Sequence, residues 1–101
     1  MVIINTTFHV EKSVEQQFLS WINQIYKTKA IETGLFSNPV LAKVLADVDP
    51  NAEAYAFQMK AEALDKAQNW HDQDATALRQ DMFNRWGEKV LFFTTYLDIV
   101  E

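Results

Sequence analysis

Cysteine is absent, and glycine and proline occur only twice each in 101 residues. Without thiols there is no disulfide framework, no thiolate metal site and no cysteine nucleophile. Scarce glycine and proline leave little material for long loops. Positive charge is also thin. Nine Lys and Arg stand against fourteen Asp and Glu, a formal charge of −5, and the longest basic cluster is Lys27-Thr28-Lys29. Such a chain is poorly suited to neutralising phosphates, so nucleic acid is not an expected partner. The start, MVIINTTFHV, has no basic segment leading into an apolar run of signal-peptide length. No apolar run elsewhere approaches a membrane span. A cytoplasmic protein that engages no membrane is the expectation. There is no glycine-rich phosphate loop and no Ser-His-Asp pattern, and no cofactor is expected.

What is present is an apolar, aromatic chain. Half of it is hydrophobic (49%), and seven Phe, three Tyr and three Trp are many for this length. That is enough for one domain over residues 1–101, with apolar surface beyond what one small core consumes.

Val2–Val10 alternates and is rich in β-branched residues, which predicts a strand. Ile4, Thr6, Phe8 and Val10 share one face; Ile3, Asn5, Thr7 and His9 share the other. Ser13 and Gln16 have the spacing of a capping box. Val14, Phe18, Trp21, Ile22 and Ile25 follow at helical spacing, and Gly34 suits the residue after a helix end. A helix from about Ser13 to Thr33 is expected. The stretch VLAKVLADVD, Val40–Asp49, fits two templates. As a strand it aligns Val40, Ala42, Val44, Ala46 and Val48. As a helix it aligns Leu41, Val44, Leu45 and Val48. Asp49-Pro50-Asn51 is turn chemistry, and the alternating run from Tyr55 to Ala61 needs a neighbour, which favours a hairpin. Ala67, His71, Ala75, Leu78, Met82 and Trp86 form the stripe of a second helix, ended by Gly87. Lys89–Val100 reads as the last strand.

The order β-α-β-β-α-β is the split-βαβ, ferredoxin-like arrangement: α+β, with a four-stranded antiparallel sheet and both helices on one face. Thr33-Gly34-Leu35-Phe36, Tyr55–Met59, Arg85-Trp86-Gly87-Glu88-Lys89 and Leu97-Asp98-Ile99-Val100 together resemble the DUF4286 family of small bacterial proteins, frequent in Bacteroidetes. The resemblance spans the whole chain. It implies the dimeric α+β barrel, in which two ferredoxin-like sheets pack face to face, and hence a homodimer with Val40–Val48 as a strand. Two positions depart from the family pattern. Tyr26-Lys27-Thr28 stands where His-x-Pro is frequent, and Thr94 stands where Arg is frequent.

In such a fold Ile4, Phe8, Tyr55, Phe57, Met59, Leu91, Phe93 and Leu97 would pack on the helices. Asn5, Thr7, His9, Gln58, Lys60, Thr94 and Tyr96, with Ile3 and Phe92, would face the other way. Asn5, Thr7, His9, Gln58, Thr94 and Tyr96 are therefore the candidate lining of a semi-polar cavity. His9 carries the imidazole best suited to general-base work and is the candidate base, against the plainer reading of an interface histidine. His71 on its stripe reads as a packed histidine before a functional one. Neither histidine has a carboxylate at ligand spacing, so no metal is expected. Trp21 and Trp86 read as core, and Trp70 as cover for a sheet edge or a partner. Catalytic residues are not identified. The expected role is a homodimeric module that binds a small ligand or a protein. The alternative is a cofactor-independent enzyme, monooxygenase- or isomerase-like, using the barrel cavity.

Overall fold

The computed structural model describes residues 1–45 and 49–101. Strand β1 (Val2–Glu11) leads into α1 (Glu15–Trp21) and α2 (Lys27–Glu32). Strands β2 (Phe36–Lys43) and β3 (Ala52–Ala61) follow, then α3 (Leu64–Asn69), α4 (Thr76–Trp86) and β4 (Val90–Asp98). The sheet is antiparallel throughout, in the order β2-β3-β1-β4. This is the expected α+β, ferredoxin-like arrangement.

The stretch that fits two templates resolves as a strand as far as Lys43, and Val44 and Leu45 of the expected strand lie beyond its end. Val40, Leu41, Ala42 and Lys43 pair with Gln58, Phe57, Ala56 and Tyr55. Residues 46–48 of the expected strand lie outside the described residues. A bulge sits upstream, where Asn38 and Pro39 together oppose Met59 and Asn38 takes a φ of 53°. Proline has no N–H for a ladder, and an edge strand is where a sheet tolerates it. The bulge keeps Phe36 and Leu41 on the helix side, with Val40 and Ala42 opposite. The Asp49 carboxylate accepts from the Asn51 N–H at 2.8 Å, the self-bonding that makes Asp a turn residue.

Each helical arm contains a π turn, Ile22–Tyr26 in the first and Trp70–Asp74 in the second. The Ala75 N–H reaches back to the Trp70 carbonyl at 2.8 Å. One additional residue per turn rotates everything beyond it. In the first arm, Tyr26 is buried where the regular spacing predicts Ile25, which is only partly covered. In the second, Trp70 and Ala75 are both inside, and Trp70 is not an edge cover but core, 2% exposed and set edge-on to Phe36 and Tyr26. The capping box does not form either. The chain enters the first arm through a 3₁₀ turn at Lys12–Val14, and the Ser13 hydroxyl donates backward to Glu11 at 2.7 Å. The helix ends as expected, with Gly34 at φ 75°.

Val2, Ile4, Thr6, Phe8 and Val10 are buried on the helix side of the central strand. Above them the aromatic rings interlock. Tyr26 meets Phe8 and Phe57 edge-to-face at 5.8 and 5.5 Å, and Trp21 meets Trp86 at 5.6 Å. Such pairs add roughly 0.5–1.5 kcal/mol each beyond area burial. Two indole hydrogen bonds cross between the arms: Trp21 Nε1 to Asp81 at 2.9 Å, and Trp86 Nε1 to Gln17 at 3.2 Å. Among the described residues, no helix is long and apolar enough to cross a membrane.

Candidate functional site

Two regions carry the sequence-predicted residues: the sheet face turned away from the helices, and an enclave beneath the second arm. The register decides which residue goes where. Thr6 pairs with Phe57 and with Thr94, and Phe8 with Tyr55 and with Phe92. Hence Val90, Phe92, Thr94 and Tyr96 share the helix side with buried Thr6 and Phe8. Leu91, Phe93, Thr95 and Leu97 lie on the open side. This corrects the expected faces of β4. Leu91, Phe93 and Leu97 do not pack on the helices and are 58%, 57% and 42% exposed. Thr94 and Tyr96 do not join Asn5, Thr7, His9 and Gln58, and Phe92 does not face outward with them.

On the open face, cross-strand rows run Val40-Gln58-Asn5-Thr95 and Ala42-Ala56-Thr7-Phe93. Small and amide side chains occupy the centre, and apolar ones line the β4 side. Among the described residues, ionised side chains stand only near the two ends of the face, Lys60 beside Ile3 and Glu11 beside Ala52. The Asn5 amide nitrogen donates to the Thr7 hydroxyl at 3.4 Å, while its carbonyl oxygen is buried with no donor among the described residues. His9, between Ala54 and Leu91, borders a 550 Å³ cleft at the end of the face. Glu11, Lys12, Asp49, Glu88 and Lys89 also line it. Acids and lysines are mixed there, so the cleft favours neither charge sign. Among the described residues, no three His, Asp or Glu side chains gather where they could hold a metal ion.

The enclave on the helix side joins residues that sequence spacing did not connect. Asp72, next to His71 in the π turn, lies 3.1 Å from its Nδ1, and Thr94 lies 3.1 Å from its Nε2. Thr94 is in turn 3.1 Å from the Thr6 hydroxyl. A carboxylate can only accept, so it fixes the proton of a neutral His71 on Nδ1. Nε2 then accepts from Thr94, and Thr94 accepts from Thr6. Tyr26 stands at the inner end. Burial pushes its hydroxyl up to about 12, against the nearby Thr6 hydroxyl and the Arg79 charge. The Tyr96 ring lies edge-on to His71 at 6.3 Å, and burial raises its hydroxyl too. The enclosed space here is only about 10 Å³, near the room one water needs. Its geometry is that of an Asp-His-Thr relay without space for an acyl group. The π turn and the β4 register create it, and neither leaves a clear mark in the sequence. The one available signal was His71 on the inner stripe of its helix.

The family model for DUF4286, a domain of unknown function, matches residues 1–100. No curated protein matches the chain in sequence. Three solved structures show the same fold at low identity. One, from Deinococcus radiodurans, is 13% identical, with a TM-score of 0.72 over 100% of this chain and 94% of its own. Another, from Bacillus cereus, is 13% identical, with a TM-score of 0.57 over 99% and 95%. Both carry the name "putative antibiotic biosynthesis monooxygenase". The third, from an uncultured marine organism, is described as a dimeric ferredoxin-like protein. It is 9% identical, with a TM-score of 0.66 over 100% and 97%.

Proposed function

The chain belongs to the DUF4286 family, and from that premise we propose that it works as a homodimer, the open faces of two sheets packed together around a small-ligand chamber. The carrying observation is the open face itself. Among the described residues its interior holds no ionised side chain, although 23% of the chain is charged. A permanently solvated antiparallel face would alternate polar residues outward. Leu91, Phe93 and Val40 supply an apolar rim, more than half exposed in the single chain. Lys60 and Glu11 sit at opposite ends. A two-fold axis across the strands brings each near the other's counterpart, so the face is complementary to itself. At 4.8 Å between strands and 3.3 Å per residue, the face covers about 600 Å². That approaches the ~800 Å² per partner of a standard interface. The dimeric ferredoxin-like neighbour supports the same arrangement.

Within the pair, Asn5, Thr7, His9 and Gln58 line the chamber. The unmatched Asn5 carbonyl calls for a donor, which a bound ligand or the facing copy supplies. This makes the protein a binding module. A second reading, a cofactor-independent enzyme on a small organic substrate, draws on His9 beside its cleft and on the names of two neighbours. Fold likeness is a weak warrant for activity. Native mass spectrometry of the purified protein tests the proposal. A dimer carrying extra mass is expected, with that mass lost in an Asn5→Leu variant that remains dimeric. A monomer refutes the arrangement. Ligand retention unchanged by Asn5→Leu refutes the chamber.

A further inference from the structure

Arg79 is a half-buried cation in an acidic chain. The ion pairs among the described residues join Lys12 and Lys43 to Glu53, Lys66 to Glu62, His71 to Asp72 and Arg85 to Asp81. None uses Arg79, and no side-chain hydrogen bond among the described residues includes its guanidinium.

Its position explains what such a group could serve. Arg79 lines the small enclave with His71 and Thr94. It also lines an outer groove of about 220 Å³ between α4 and β4, walled by Met82, Phe83, Val90 and Phe92. Arg79, Met82 and Phe92 border both spaces, so the apolar groove leads to an unpaired positive charge. Phe83 is 60% exposed and Phe92 40% exposed, so both rings present apolar surface to the groove, although the inner side of Phe92 packs near Phe8 at 6.3 Å. An apolar channel ending in one cation suits an amphipathic anion. One guanidinium neutralises one charge, and Glu88 on the groove wall opposes a second negative charge on the ligand. A carboxylate fits the guanidinium fork as a bidentate acceptor. The groove is smaller than the ~300–1,000 Å³ that holds drug-sized ligands.

We propose that this groove binds a small amphipathic monocarboxylate, its carboxylate on Arg79 and its hydrocarbon body between Phe83 and Phe92. The groove lies on the helix side of the sheet except at its edge, where Leu91 of the open-face rim also lines it; its test reads ligand affinity, whereas the dimer's test reads mass.

Isothermal titration calorimetry of the whole protein with octanoate, octan-1-ol and octylamine tests it. Octanoate should bind saturably and about tenfold or more tighter than the alcohol, with the amine weakest. Arg79→Gln should lose about tenfold in octanoate affinity and leave octan-1-ol unchanged, with Arg79→Lys between. Phe83→Ser should weaken both acid and alcohol. Equal binding of acid and alcohol, no saturation by about 1 mM, or an Arg79→Gln variant that binds octanoate as before would overturn the proposal. Should Arg79→Gln fail to fold, the acid–alcohol comparison on the wild-type protein decides alone.

Discussion

Gly34 and Gly87 both take positive φ, 75° and 56°, and neither has an atom within 4 Å of where a Cβ would sit. The cost of a side chain there is backbone strain alone. Gly87 adds a ψ of −130°, outside the left-handed helical well that other residues visit. Gly34→Ala should cost about 1 kcal/mol, and Gly87→Ala more, up to about 3 kcal/mol, measured by urea unfolding. Two tyrosines give a second prediction. Burial raises both Tyr26 and Tyr55 to about 12, and the 2.5 Å bond that Tyr55 donates to Glu15 adds to its rise. Both hydroxyls are held neutral in the fold, so their contribution is complete below the ordinary value of 10.0 and is lost as pH climbs towards about 12. Urea midpoints should hold at about pH 9 and fall steeply by about pH 11. Tyr26→Phe with Tyr55→Phe should flatten that fall. Gly34 was legible in the sequence because a helix end needs a residue of its conformational type. Ser13 misled because its hydroxyl found the Glu11 carboxylate instead of a backbone amide.

Between elements, Asp81 holds the two arms together. It accepts from the buried Trp21 indole and from Arg85 at 3.0 Å, and these bonds, Trp21 first, hold its carboxyl below the usual 3.8. Asp81→Ala leaves a buried N–H without an acceptor and should cost about 1–3 kcal/mol. Asp81→Asn keeps an acceptor and should cost less. The carboxylate's contribution is present above its ordinary value and is lost as pH falls below it, so the Asp81→Asn variant should lose less stability on acidification than wild type. Element order was readable because strands alternate with period two and helices with 3.6. The faces of β4 were not. Both of its alternate sets contain large apolar side chains, and packing on the helices selects the set that begins at Val90. The π turns were hidden for a related reason: a helix stripe with one added residue still looks apolar, and only its phase changes. That change brings Trp70 inside, and the turn places His71 opposite Thr94.

At the scale of the molecule, the helix side is closed and the other sheet face is open. The candidate residues Asn5, Thr7, His9 and Gln58 gather on that open face because they alternate with buried neighbours on β1 and β3, a pattern that sequence displays directly. Thr94 and Tyr96 belong to the closed side, where Thr94 helps complete a hydrogen-bond relay. We propose that a second copy covers the open face. Phe93 on that face and Phe83 on the outer side of α4 are equally solvent-exposed in one chain, at 57% and 60%. They make a matched pair, since a charge at either should leave the monomer fold intact. The most direct measurement is sedimentation equilibrium of the wild-type protein beside Phe93→Glu and Phe83→Glu. The wild type should be dimeric, Phe93→Glu monomeric and Phe83→Glu dimeric. A Phe93→Glu variant that stays dimeric, or a monomer produced by Phe83→Glu instead, would contradict this arrangement.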